Sequence, residues 1–309
     1  MNPVMKKILN ISLVSLAAAL VLLSSCRKEE LSPESIITID AMEQNDFDRW
    51  LDANFVYPYN IEFKYRYENN ETDLNYYSVP ADYDNSVIMA HLVKYLCIDS
   101  YDEVAGSIFT RKYFPKEFFL MGEWEYKNNG VYTLGTAEGG KKIILMGINY
   151  LPKYMTTTAN LNHYYLKTIH HEFTHILNQT KDYPVSFDQV SGSSADGYVT
   201  DSWSDSQYND NLQRGFITKY ARSSPREDFA EMMAIYITNS AEWWETQMQA
   251  AASEGGDDNG RSRIETKLGI VRNYMEETFN IDIDQLRATI LRRQDEVMSG
   301  KVDLTNIDL

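Results

Sequence analysis

Apolar positions recur along this chain with two periods, and the switches between them mark its elements. Ile8 to Leu23 is an apolar run broken only by Asn10, Ser12 and Ser15, with Lys6 and Lys7 just before it. It is short and basic on one side only, which marks a secretory signal over residues 1–25 rather than a membrane span. Residues 26–40 are polar and read as a tether, which leaves 41–309 as one folded domain. Met42, Phe47, Trp50 and Leu51 have helical spacing within Ala41 to Phe55, and Pro58 is expected to end that helix. Ile61, Phe63, Tyr65 and Tyr67 alternate with polar residues as in a half-buried strand. Asp82 to Ser86 supply turn and cap residues for a helix over Val87 to Ile98. Period two then dominates from Glu117 to Tyr150: Phe118 to Tyr126, a turn at Asn128-Asn129-Gly130, Val131 to Leu134, Gly139-Gly140, and Lys142 to Tyr150. This pattern predicts a small antiparallel or mixed sheet. A helix opening at Asn160 or Asn162 and ending near Gln179 follows. Residues 180–210 are rich in Ser, Asp and Gly, a long loop of the kind that often serves function. Helices are predicted over Pro225 to Met248, Arg261 to Phe279 and Ile283 to Met298, with Gly255 to Gly260 as an exposed loop.

Composition narrows the setting. The apolar run ends in Leu23-Ser24-Ser25-Cys26, which resembles the bacterial lipobox, whose cysteine is acylated and becomes the first residue. Arg27, Lys28, Glu29 and Glu30 follow, and acidic residues there resemble the surface-export signal of Bacteroidetes lipoproteins. With Cys26 taken by lipid, Cys97 is the one remaining thiol, so an internal disulfide is excluded and stability must come from the core. The formal charge of −16 becomes −18 without Lys6 and Lys7. Such acidity argues against nucleic acid, whose phosphates it would repel. Twenty-two tyrosines and five tryptophans suit a large core or a glycan-facing surface equally.

The chemistry concentrates in His171-Glu172-Phe173-Thr174-His175, an HExxH pentapeptide inside a predicted helix. Residues four apart share a helical face, so both imidazoles can reach one ion. Catalytic zinc takes three protein ligands and keeps a place for water, and Glu172 is positioned to accept that water's proton. Leu166, Ile169, Phe173, Ile176 and Leu177 supply the helix's apolar side. His170, His163 and His91 read as structural histidines. No histidine follows His175, so the metzincin pattern is excluded and a carboxylate must complete the set. Glu227 and Glu231 share a helix face, and either could bind the metal while the other bonds the far nitrogen of a ligand histidine. Ser224, Pro225 and Glu227 also match a capping box, in which Glu227 would only finish the helix start and Glu231 would be the ligand. Spacing leaves both open.

Tyr220 to Glu231, together with the HExxH helix, resembles the gluzincins related to the anthrax lethal-factor catalytic domain. That resemblance implies Glu227 as ligand and Tyr220, seven residues earlier, as the group stabilising the oxyanion. More of the chain, from the lipobox through Glu227-Asp228-Phe229-Ala230-Glu231 to Ile283-Asp284-Gln285-Leu286-Arg287, resembles the zinc-binding metallopeptidase lipoproteins of Bacteroidetes. These are found with TonB-dependent nutrient importers and SusD-like lipoproteins. The resemblance implies an α+β, zincin-like fold, with the sheet sheltering one side of the HExxH helix and later helices covering the other. It also implies Zn2+, a peptide or protein substrate, and anchorage to the outer membrane through Cys26. The 180–210 loop is expected to rim the cleft. Two rival readings are a non-catalytic substrate-binding lipoprotein and a zinc amidase or deacylase acting on cell wall; an intact Glu172 counts against the first.

Overall fold

The computed structural model describes residues 43–68, 78–126, 132–138, 141–191, 197–252 and 259–309. The signal, Cys26 and the tether lie outside the described residues, as do the turn at Asn128-Asn129-Gly130, Gly139-Gly140 and most of the Gly255–Gly260 loop. Gln44 to Leu309 forms a single compact unit. No helix among the described residues is long and apolar enough to cross a membrane.

The fold is α+β. Strands β1 (Glu62–Lys64), β2 (Glu117–Leu120), β5 (Gly135–Glu138) and β6 (Lys142–Leu145) form a mixed sheet in the order β1-β2-β6-β5. The first three in that order are parallel and β5 runs antiparallel to β6. β3 (Glu125–Tyr126) and β4 (Tyr132–Thr133) pair as a separate antiparallel ribbon. β2 and β6 are central and carry near-continuous apolar runs, Phe118, Phe119 and Leu120 facing Ile143, Ile144 and Leu145, as strands covered on both faces must. β5 is pressed against the HExxH helix. A Cβ on Gly135 would stand 2.7 Å from Thr168 Cγ2 and 2.5 Å from Ile144 O, so only glycine permits that approach.

Several helix boundaries differ from the sequence reading. The first helix begins at Asp46, where Asn45 and Asp48 form a reciprocal cap; the expected start at Ala41 lies outside the described residues. The helix is continuous through a wide π turn at Asp52–Val56, and Pro58 lies in its last turn, Tyr57–Tyr59, one residue before the chain leaves it at Asn60 in the left-handed region (φ +54°). The next helix starts at Tyr83, four residues earlier than the apolar run, because the Asp82 side chain accepts from Asn85 N. The HExxH helix opens at Thr158, capped by Thr157, passes through a wide π turn at Asn162–Leu166, and runs as Lys167–Thr180. The 180–210 segment is less irregular than its composition suggests, since Ser186–Ser191 is helical with Phe187 fully buried.

The single helix expected over Pro225 to Met248 is two, Pro225–Thr238 and Ala241–Ala251. Asn239 is extended, its carbonyl accepts from Arg287 Nε, and Ser240 caps the second helix by accepting from Trp243 N. Long-range bonding to Arg287 thus fixes a break that local periodicity does not show. The remaining helices, Asn259–Phe279 and Ile283–Met298, lie where the pattern puts them.

The HExxH helix and the Pro225–Thr238 helix pack against each other at the centre of the core. Ile169, Phe173 and Leu177 on one, and Phe229, Met232, Met233 and Ile237 on the other, are all but excluded from water. At roughly 1.5–3 kcal/mol for each large apolar side chain buried, this seam is a dominant stabilising contact. Asn162 Nδ2 donates to Thr238 O, and Gln294 Nε2 donates to Asn162 Oδ1, so the pair is also locked in register.

Candidate metal centre

That register sets the HExxH face opposite the first turn and a half of the second helix. Ser224 caps this helix, accepting from Glu227 N at 3.3 Å, and Pro225 takes the first-turn position. The cap uses the backbone of Glu227 and leaves its carboxylate free to turn inward. Three donor atoms converge there. His171 Nε2 lies 2.9 Å from Glu227 Oε2, His175 Nε2 lies 3.2 Å from the same oxygen, and the two imidazole nitrogens are 3.1 Å apart. Among the described residues these three side chains are the one group of histidines, cysteines and carboxylates able to hold a metal ion.

The donor set suits zinc. A tetrahedral ion with bonds of about 2.0–2.1 Å places its donors about 3.3 Å apart, close to the spacing seen. Exposure is graded across the site: the His171 side chain is 6% accessible, whereas those of His175 and Glu227 keep 18% and 24%. A metal held here is buried on one side and reachable on the other, as a catalytic position requires. Electrostatics point the same way. Burial disfavours a charged imidazole at His171, yet its contacts with Glu227 and Glu231 push it up to about 9. Burial would raise the Glu227 carboxyl, but His171 and His175 hold it well below the usual range. The site stabilises positive charge at that point.

Glu231 lies behind His171 and not among the converging donors. It is fully buried, its Oε1 is 2.9 Å from His171 Nδ1, off the line of an ideal hydrogen bond, and it lies beyond reach of the converging donors. Lys167 Nζ donates to Glu231 Oε1 at 3.0 Å and Thr218 Oγ1 donates to Oε2 at 2.6 Å. Burial alone would raise this carboxyl too, but the Lys167 charge and these bonds depress it strongly. A carboxylate behind a ligand imidazole fixes its ring and tautomer. Lys167 and Thr218 carry no motif, and their roles appear only in three dimensions.

Glu172 is half-buried, and its charge is felt by both His171 and Tyr220. The Tyr220 ring centroid is 5.8 Å from that of His171. Burial and the neighbouring Glu227 carboxylate push its phenol far above the usual tyrosine range, so it remains a proton-bearing donor. Trp203 and Tyr220 pack in a T-shaped pair with ring centroids 5.0 Å apart. Val199 N donates to Arg222 O, Arg222 Nε to Gly197 O, and Lys219 Nζ to Ser204 O, Asp205 O and Asn209 Oδ1. Residues 197–209 of the 180–210 segment are therefore held to the turn that carries Tyr220.

The other histidines stand apart from the donors. His170 is fully buried, with Nδ1 3.3 Å from Tyr101 Oη and Nε2 3.8 Å from Cys97 Sγ. His91 packs on Trp50 and His163 on Tyr164.

A family model described as "Putative zinc-binding metallo-peptidase" matches residues 40–284. Among solved structures, the chain is similar to the crystal structure of a putative zinc-binding metallo-peptidase from Bacteroides caccae ATCC 43185. The two share 40% identity with a TM-score of 0.71, over 89% of this chain and 100% of that one. No curated protein matches.

Proposed function

The chain belongs to this zinc-binding metallo-peptidase family, and from that membership we propose that it is an HExxH peptidase of the gluzincin type. His171, His175 and Glu227 hold the metal, Glu172 is the general base and Tyr220 the oxyanion donor. The observation that carries this reading is the convergence of two imidazole nitrogens and one carboxylate oxygen within 3.2 Å of one another, with the two imidazoles flanking Glu172 in sequence. When bound there, zinc supplies the Lewis acidity that brings a water's pKa near neutrality. Glu172 takes the proton of the attacking water and passes it to the departing amine. Tyr220, kept protonated by its surroundings, donates to the oxygen on which negative charge develops. His171 is steadied by Glu231, so its Nε2 stays aimed at the ion. The substrate is a peptide or protein at the cell envelope. Cys26 anchors the chain to the outer membrane, beside a TonB-dependent importer and its SusD-like lipoprotein.

Metal analysis of the purified protein beside a Glu172→Gln variant, with a peptide library as substrate, tests the reading. One zinc per chain in both, with cleavage by the native protein alone, supports it. Equal cleavage by both proteins, or no zinc in either, sinks it. Release of muropeptide fragments with no peptide cleavage would move the assignment to cell-wall amidase action.

A further inference from the structure

Thr218 lies between the two halves of the site without belonging to either. Its hydroxyl accepts from Ala221 N at 3.0 Å, closing the turn Tyr220–Ser223, and donates to Glu231 Oε2 at 2.6 Å. A hydroxyl has one proton to give and two lone pairs to accept with, so a single group can serve both bonds. Each bond polarises the next in a site shielded from water. Beyond this chain lies the proposed metal ligand: Glu231 Oε1, which accepts from Lys167, stands in close contact with His171 Nδ1 at 2.9 Å.

We propose that Thr218 is a positioning residue which ties the tyrosine-bearing turn to the carboxylate behind His171, so that oxyanion donor and metal ligand are set by one hydroxyl. This rests on the zinc-peptidase reading above. Glu231 has zero exposure and cannot take water in place of a lost partner, so removal of the hydroxyl leaves a charged oxygen short of one bond. The same removal leaves Ala221 N without its acceptor. Threonine's methyl group contributes neither bond.

Two variants separate hydroxyl from shape. Thr218→Val keeps the shape and loses the hydroxyl; Thr218→Ser keeps the hydroxyl and loses the methyl. Zinc affinity is read by competition with a chromogenic chelator, and kcat and KM are then measured at saturating zinc. Thr218→Val should bind zinc about 10–100-fold more weakly. With zinc saturating, its kcat should remain at least about tenfold down at near-native KM, part of the about 10²–10³ lost when an oxyanion donor is removed outright. Thr218→Ser should restore both. The proposal is overturned if Thr218→Val holds zinc as tightly as the native protein, or if Thr218→Ser is as impaired as Thr218→Val. Full recovery of kcat by zinc alone overturns the link to Tyr220. Failure of the underlying reading looks different, because the native protein itself would then lack zinc or zinc-dependent cleavage.

Discussion

Asp228, the residue after Glu227, is paired with Lys267 Nζ where neither side chain touches solvent. Tyr198 donates to the same Asp228 oxygen at 2.9 Å, and Lys267 also donates to Gly215 O. The ammonium lies 4.1 Å from the centroid of Phe216, with Phe187 and Tyr198 a little further away. A charge pair sealed this way fixes the start of the ligand-bearing helix against the Asn259–Phe279 helix and the segment around Tyr198. Burial pushes Asp228 up to about 6 and Lys267 down, so the pair is held by its partners and not by solvation. Removing one member strands the other. Lys267→Met should lower stability by about 3–5 kcal/mol in urea unfolding of chelated protein, and adding Asp228→Asn should recover part of that loss. A single variant as stable as the native chain would contradict the pairing.

The two glutamates four residues apart should respond differently to the same change. Glu227→Gln removes a donor to the ion, and stoichiometric zinc should be lost on dialysis. Glu231→Gln removes the support behind His171, so zinc should remain at one per chain with affinity about 10–100-fold lower. The opposite result by metal analysis would exchange their roles.

Zinc must displace a proton from His171, which its neighbouring carboxylates hold up to about 9. Below that pH each zinc bound releases this proton, and apparent affinity should rise about tenfold per unit, levelling off near pH 9. Chelator competition between pH 6 and 9 reads the slope. A flat profile would mean that His171 does not carry the proton in the metal-free protein.

His170 works in the other direction. Its burial lowers the imidazole from 6.5 to about 3, so the folded state favours the neutral form. The stability this confers is complete above pH 6.5 and is lost as pH falls through the interval down to about 3, by about 1.4 kcal/mol per unit. His171 has the opposite sign in metal-free protein: its contribution is complete below 6.5 and disappears as pH rises through about 9. Between pH 6 and 4 a His170→Phe variant should therefore show a shallower fall in unfolding free energy than the native chain. Parallel curves would count against a buried neutral imidazole.

Tyr220→Phe should leave zinc content unchanged and lower kcat by about 10²–10³, the usual cost of losing one oxyanion donor. A rise in KM alone, with kcat preserved, would assign the phenol to substrate binding instead.

The convergence of His171 and His175 was legible because a helix converts a spacing of four into a shared face, a rule that needs no tertiary information. The acidic pair was legible as a pair only. Choosing between Glu227 and Glu231 depends on which carboxylate the packed seam aims at the imidazoles, and the Ser224 cap that clouded the choice proves compatible with an inward Glu227 side chain. Lys167, Thr218 and Lys267 could not be found in the sequence, since each acts through a partner 13 to 64 residues away and none belongs to a motif. The break at Asn239 was hidden for a similar reason, as Arg287 makes it from 48 residues downstream. Pro58 was legible as the mark of a helix end, because a proline breaks the hydrogen-bond ladder, and the helix stops at Tyr59 just after it.

The three converging donors stand on helices whose register is set by Asn162, Thr238 and an apolar seam, none of which involves the ion. The cation should therefore be a tenant and not a pillar: removable and returnable, or exchangeable for cobalt as a spectroscopic reporter, without the chain having to refold around its replacement.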